Sequence, residues 1–382
     1  MLREIRQDPP GTRLRAQEAA SALLGAAWAE RSMGQRDAEE ELVRRLVREA
    51  ASHQKPTASL ALHCLATMPD TWGPLVAEAL AGDAGRTAPP WSDGTLAVAP
   101  EEPARVEVWS DPWGSSRVFV LHYVEPEPHL LAVAITTPGG VLVETIALAD
   151  PGADPSEGFD VGDLVGDVDP SEALATIADA LWQTDMYWPP SEDPGYVTGR
   201  GLLHWRTSRH RAEHDWQPVP DAERRALLDD FAREHGAELG LDASIVEVLT
   251  DTFVDFGDGY IAGGVLAWSP GHVEVFMLEW VHRKVVMDDE AMEALPTVLK
   301  AWVRFALGRR GLVDEDIEPV VDAVEQLRDD YTEARSDAGG PAAQLMSRLM
   351  AAGVDLHDSD AVAQAVSSYN AEQIARRALE ER

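Results

Sequence analysis

The sequence predicts an α+β fold: an antiparallel β-meander flanked by an N-terminal helical segment and a larger C-terminal helical domain. Three observations predict it. Between Thr95 and Leu148 the apolar residues recur with period two, whereas on both sides they recur at helical spacing. The links between the period-two runs, SDPWGSS, EPEP and PGG, are short and rich in turn residues, which suits hairpins better than crossovers. The stretch after Asp221 repeats helix caps and apolar stripes almost without a break. For 382 residues these shifts place the domain boundaries at 1–90, 91–216 and 217–382.

The elements follow in chain order. The Ala-rich run AASALLGAAWAE reads as an amphipathic first helix. In DAEEELVRRLVREA, Leu42, Val43, Leu46, Val47 and Ala50 share a face, and carboxylates occupy the opening turn, where the helix dipole favours them. LALHCLATM and WGPLVAEALAG add short helices, the latter closed by Gly82, and DAGRTAPPWSDG has linker chemistry. The strands are RVEVW, RVFVLHYV, HLLAVAIT and VLVETIAL. HLLAVAIT is apolar on both faces and belongs inside the sheet, while RVEVW alternates and can expose one face.

A Gly/Asp loop, DPGADPSEGFDVGDLVGDVDPSE, follows the meander. Asp169-Pro170-Ser171-Glu172 then starts a helix with an N-cap acid and a first-turn proline, continued by Leu174, Ile177 and Leu181. In the C-terminal domain, Leu227, Leu228 and Phe231 mark a helix closed at Gly236. Ile245, Leu249, Phe253 and Phe256 mark the next. Ser269-Pro270 opens another with Val273, Phe276, Met277 and Trp280 inward. A further helix begins at Pro296 and ends at Arg309, Arg310 and Gly311. Ile317, Val320, Val321, Val324, Leu327 and Tyr331 form the cleanest stripe, and two last helices are expected over 341–352 and from about Asp360 to the end.

Composition bounds the function. With 32 basic and 67 acidic residues the net charge is −35, a surface that repels phosphate backbones and anionic membranes, so no nucleic-acid or membrane partner is expected. The same charge leaves open a protein partner with a basic surface, or mimicry of nucleic acid. No apolar run approaches membrane-spanning length, and the N-terminus lacks the basic-then-apolar order of a signal peptide. The single Cys64 cannot form an internal disulfide and lies among apolar helix formers, consistent with a core thiol in a reducing cytoplasm. Lysine occurs only at 55, 284 and 300; arginine in its place, with abundant Ala, Gly and Pro, points to a high-GC bacterial genome.

The segments AWSPGHVEVFMLEWV, LPTVLKAWVRFALGRRGL and AAGVDLHDSDAVAQAVSSYNAE resemble the C-terminal parts of an actinobacterial protein family of unknown function. The resemblance covers less than a third of the chain and rests on helix caps and core positions. It implies a bacterial origin and a helical fold, and carries over no site.

One enzyme-like motif is present. His210-Arg211-Ala212-Glu213-His214 has the His-x-x-Glu-His order that, on a helix, lets two imidazoles hold zinc beside a general-base carboxylate. Its flanks oppose that reading: Arg206, Arg209 and Arg211 repel a dication, and Pro218 limits any helix. His210, Glu213 and His214 are therefore expected to be solvated, and no catalytic, cofactor or metal residue is assigned. From Val118 to Gly199 there are fifteen Asp or Glu and no Lys or Arg, followed at once by Arg200, Arg206, Arg209 and Arg211. Intramolecular neutralisation of the acids by these arginines is the expectation. DVGDLVGDVD offers oxygen ligands but lacks the alternating acids and central glycine of a calcium loop. DFGDGYIAGG has neither the spacing nor the strand–helix context of a phosphate-binding loop. Trp182, Tyr187 and Trp188 are expected as core and loop anchors, with a groove for a peptide or small molecule as the alternative.

The expected function is that of a soluble intracellular protein acting through protein interaction, as a regulatory or accessory factor. The alternatives are a metal-dependent hydrolase at His210 and His214, and an acidic nucleic-acid mimic that binds a basic protein. The sequence sets no oligomeric state.

Overall fold

The computed structural model describes residues 5, 7–52, 56–82, 88–153, 159, 162–210 and 218–337. Two compact units divide the chain, Met1–Gln217 and Pro218–Arg382. The expected boundary near 90 therefore does not separate two cores. Helices from before it and strands from after it bury their apolar faces in one cluster, which joins Leu23, Leu46 and Leu62 to Phe119, Leu131 and Ile146.

The first unit is α+β. Helices α1 (Arg13–Ala29), α2 (Ala38–Ala51), α3 (Pro56–Leu65) and α4 (Gly73–Gly82) precede the strands. On α2 the stripe behaves as the pattern demands, with Leu42, Val43, Leu46 and Ala50 buried. Helix α1 is not amphipathic in the expected sense: Ala16, Gln17, Ala20, Ser21, Leu23, Leu24, Gly25 and Trp28 are all buried, so it is covered on more than one side. The strands are β1 (Arg105–Ser110), β2 (Ser116–Tyr123), β3 (His129–Thr136), β4 (Leu142–Ala149) and β5 (Asp163–Val168), in the order β4-β3-β2-β1-β5. All neighbouring pairs are antiparallel. Strand β3 is buried on both faces, as its composition requires. Leu131, Val133 and Ile135 join the main cluster, and Leu130, Ala132 and Ala134 join a smaller one on the opposite face.

Strand β5 corrects the sequence reading, which placed Asp163–Val168 inside a loop. Its side chains are mostly exposed, with Leu164 and Val165 turned to solvent, so no hydrophobic period marks it. Backbone pairing with β1 creates the strand, with a register shift between Val108 and Trp109 and Gly166 at φ 140°. Its acids suit an edge strand, where charge discourages further pairing; Asp167 meets Arg105 at 2.8 Å.

Helices α5 (Pro170–Met186) and α6 (Pro194–Thr207) complete this unit. Helix α5 starts as expected: the Asp169 carboxylate accepts from the N–H groups of Ser171 and Glu172. Helix α6, which the sequence reading did not recognise, lies between α1 and β4. Two glycines permit this. A Cβ on Gly25 of α1 would stand 1.6 Å from the Val197 carbonyl oxygen, and one on Gly199 of α6 would stand 2.5 Å from Ile146 Cγ2. The contact is keyed by Ser21, whose hydroxyl donates to the Thr198 carbonyl at 2.6 Å and accepts from the Leu202 N–H at 2.8 Å. It thus occupies the rung that these two groups would otherwise share across one helical turn.

The described residues of the second unit form helices joined by turns and short irregular links, with no strand among them. Its helices are α7 (Asp221–Leu239), α8 (Ala243–Tyr260), α9 (Pro270–Glu274), a π-helical turn Val275–Trp280, α10 (Val281–Lys284), α11 (Asp289–Arg309), α12 (Asp314–Gln326) and α13 (Arg328–Asp337). Phe231, Phe253, Phe256, Trp268, Phe276, Trp280, Trp302 and Phe305 make a continuous aromatic core, with most neighbouring rings tilted or edge-on. Two expected boundaries move. Helix α7 runs through Gly236 and stops at Gly240, whose φ of 63° supplies the left-handed cap. Helix α11 starts seven residues before Pro296, at an Asp288 cap whose carboxylate accepts from the Ala291 N–H. Pro296 sits inside it, buried. The helices expected over 341–352 and beyond Asp360 lie outside the described residues.

Candidate functional site

The zinc-like motif is only partly within the described residues, since Glu213 and His214 fall outside them. His210 lies three residues past the end of α6, so it is not on a described helix. Its Nε2 stands 3.3 Å from Glu102 and its Nδ1 3.3 Å from Ser171 Oγ. Among the described residues no group of three or more His, Cys, Asp or Glu is placed to hold a metal.

The expected neutralisation of the acidic tract is realised in part, and helix capping accounts for more of it. Arg200 binds Asp185 within the tract, but also Glu39 outside it, and Arg206 binds Glu101. Arg211 lies outside the described residues. Asp169 caps α5, Asp193 caps α6 through the Tyr196 N–H, and Glu127 accepts from the Arg13 and Leu14 N–H groups at the start of α1. Carboxylates at helix N-termini complement the dipole and satisfy orphan donors.

The densest polar constellation lies on α6. Tyr196, Arg200 and His204 are spaced by four residues, so one helix face aims all three at Asp185 of α5. The Asp185 carboxylate accepts from Tyr196 Oη at 2.8 Å, Arg200 Nε at 2.8 Å, Arg200 Nη2 at 2.7 Å and His204 Nε2 at 2.8 Å. Burial alone would raise this carboxyl, but the hydrogen bonds from His204 and Arg200 outweigh it and hold the group well below the usual range. Arg200, itself buried, stacks on Trp28 at 4.7 Å and reaches Glu39 at 2.7 Å. The period-four recurrence of polar side chains was the sequence signal for this cluster. It is obscured when Arg200 is grouped with Arg206, Arg209 and Arg211 as a neutraliser of the acidic tract as a whole.

The His204–Asp185 pair has the form of an oriented general base beside a cleft of about 340 Å³, whose lining includes Glu39, Trp72 and Trp182. The nearest hydroxyls on its lining are turned away, Thr207 to the Leu203 carbonyl and Ser208 to the Trp205 carbonyl. With Asp185 saturated by four donors, the cluster acts as a clamp between α5, α6 and α2. Of the aromatic trio, Trp182 lines this cleft, Tyr187 donates to the Gly139 carbonyl at 2.6 Å, and Trp188 lies near Arg31 at 5.8 Å. Cys64 is buried, and burial pushes its thiol up to about 12, so it is a core residue without nucleophilic character.

A different kind of site lies in the second unit. A groove of about 760 Å³ runs between α7 and α8. Leu228, Ala232, Ala237, Leu241 and Val246 supply its apolar surface, and Asp221, Asp229, Glu247 and Asp251 its carboxylates. Arg224 also lines it but is engaged, at 2.6 Å from Asp251 and 2.7 Å from Asp255. The groove exists because α7 is under-packed. Over 19 residues it buries a single side chain, Phe231, and leaves Leu228 half-buried. Of the three apolar residues that mark this helix in the sequence, Phe231 is buried, while Leu227 and Leu228 are half-buried.

No family model, curated protein or solved structure matches the chain. No helix among the described residues is long and apolar enough to cross a membrane.

Proposed function

We propose that this chain acts by binding a protein partner with a basic surface, as a regulatory or accessory factor in a bacterial cytoplasm. The observation that carries this reading is the α7–α8 groove, in which apolar side chains lie between carboxylates on a chain of net charge −35. An apolar floor supplies the area-dependent part of affinity, and a charged rim steers a partner of opposite sign. The arginine-for-lysine usage and the C-terminal resemblance support a high-GC actinobacterial setting.

The experiment is affinity capture with the intact chain from lysate of a high-GC actinobacterium, at low and at moderate salt. A basic protein retained at low salt and released as salt rises is the expected result. Capture of no protein at either salt would remove the proposal. Two additions separate the alternatives. Excess DNA leaves the captured protein in place if the chain is not a nucleic-acid mimic, and elemental analysis finds no stoichiometric zinc if His210 and His214 hold none.

A further inference from the structure

We propose that the α7–α8 groove receives an amphipathic helix of the partner, with Leu-like side chains seated on Leu228, Ala232 and Val246 and Lys or Arg side chains against Asp229 and Glu247. This inference rests on the partner-binding reading and goes beyond it in naming the recognised element.

Shape is the first argument. The groove is bounded by two helices, lined from Asp221 to Ala237 on α7 and from Ala243 to Asp251 on α8. The α7 side spans roughly 24 Å at 1.5 Å per residue, the length of a four- to five-turn helix. Helices recognise such grooves through anchors at i, i+3 or i+4, and i+7. The small Ala232 and Ala237, both exposed, leave room for a second backbone to approach.

Charge is the second. Asp221, Asp229 and Glu247 form no ion pair among the described residues, while Asp251 is already bound to Arg224. Arg225 also lines the groove and partly offsets them, so the lining carries four carboxylates against two guanidinium groups. An occupant with basic residues flanking its apolar stripe is complementary to that balance; an acidic helix is not.

The test uses the full chain and a synthetic probe: a roughly 17-residue Leu/Lys amphipathic peptide, labelled for fluorescence anisotropy. Controls are a scrambled peptide of the same composition and a Glu-for-Lys counterpart. The expected result is saturable binding at least about tenfold tighter for the amphipathic Lys peptide than for either control. Ala232→Trp, which fills the groove from an exposed position, weakens binding about tenfold or more. The pair Asp229→Lys and Glu247→Lys does the same, whereas Glu144→Lys, in the first unit, does not. Circular dichroism matching the unsubstituted chain shows that the variants fold, and Ala237→Trp serves as a second filling variant. Equal binding of the scrambled peptide overturns the proposal, as does full affinity in both filling variants.

Two other outcomes overturn it by assigning the groove elsewhere. A peptide of residues 360–382 that displaces the probe from the full chain gives the groove to this protein's own C-terminal segment. A dimer that dissociates as the probe binds gives it to a second copy. Failure of the groove is also distinct from failure of the broader reading. If Ala232→Trp still captures a basic protein with unchanged salt dependence, the partner reading stands and the groove assignment falls.

Discussion

The two units solve the problem of a defined interior by different chemistry. The first places guanidinium groups inside. Arg206 is fully buried against Glu101 and Tyr123, and Arg200 is clamped by Asp185 and Glu39. The second keeps its arginines outside, in pairs such as Arg304–Glu318 and Arg309–Glu234, and fills its core with aromatic rings. Buried polar groups specify position because each must find particular partners, whereas apolar side chains tolerate several arrangements at similar energy. The first unit accordingly has an interior keyed by donor and acceptor geometry. The second has an interior set by volume, and its described residues leave one helix, α7, incompletely covered.

The comparison is sharpest at Asp185. Asp185→Ala leaves Arg200 buried and only partly paired, and is expected to destabilise the first unit by about 3–5 kcal/mol. The readout is alkylation of Cys64, the single cysteine, buried in that unit and reactive only when it opens. The double change Asp185→Leu with Arg200→Met should recover much of the loss, because it removes both charges together. If the double variant is as unstable as the single one, the clamp contributes shape rather than charge pairing.

Next in size is the keyed helix contact. Gly25→Ala drives a methyl into the Val197 carbonyl and is expected to cost about 1–3 kcal/mol or more, since the obstacle is backbone and cannot rotate away. A Cys64 labelling rate unchanged from that of the unsubstituted chain would show that α1 and α6 do not pack this closely in solution.

Acid provides a smaller, graded effect. Burial holds the His129 imidazole below its ordinary value, so the unfolded chain binds that proton more readily than the folded one. Its stabilisation is complete above about pH 6.5 and is lost as pH falls through the lower folded value. Asp185 is likewise held down, so its contribution is intact above about pH 4 and disappears only in stronger acid. Protection of the α6 amides, corrected for the intrinsic exchange rate at each pH, should therefore fall in two stages as pH is lowered from 7. The His129 stage should be absent from His129→Phe.

The smallest effect belongs to the second unit's surface. Arg304→Ala removes a half-exposed pair and should change stability by about 0–1 kcal/mol, reduced further by salt. A loss comparable to that of Asp185→Ala would erase the distinction between the units.

Sequence legibility follows the same division. Stripes such as Ile317, Val320, Val321 and Val324 are buried as their spacing demands, and β3 sits inside the sheet as its two-sided apolar pattern requires. These patterns are local, because helix and strand periods are properties of the backbone alone. The Asp169 cap and the Ser269-Pro270 helix start were readable for the same reason. Helix α6 was not, because its glycines lower helix propensity and are explained only by what approaches them. Strand β5 was not, because an edge strand with exposed side chains takes its conformation from its neighbour's backbone groups.

By itself, then, the sequence determined the α+β class, the meander, the aromatic helical half and the strongly acidic character. Each of these depends on composition or on periods a few residues long. Tertiary structure alone decided that residues before and after position 90 share a core, that Asp185 gathers Tyr196, Arg200 and His204, and that α7 leaves a groove. Those features depend on which faces meet across long stretches of chain, and that is fixed by packing and hydrogen-bond satisfaction rather than by local pattern.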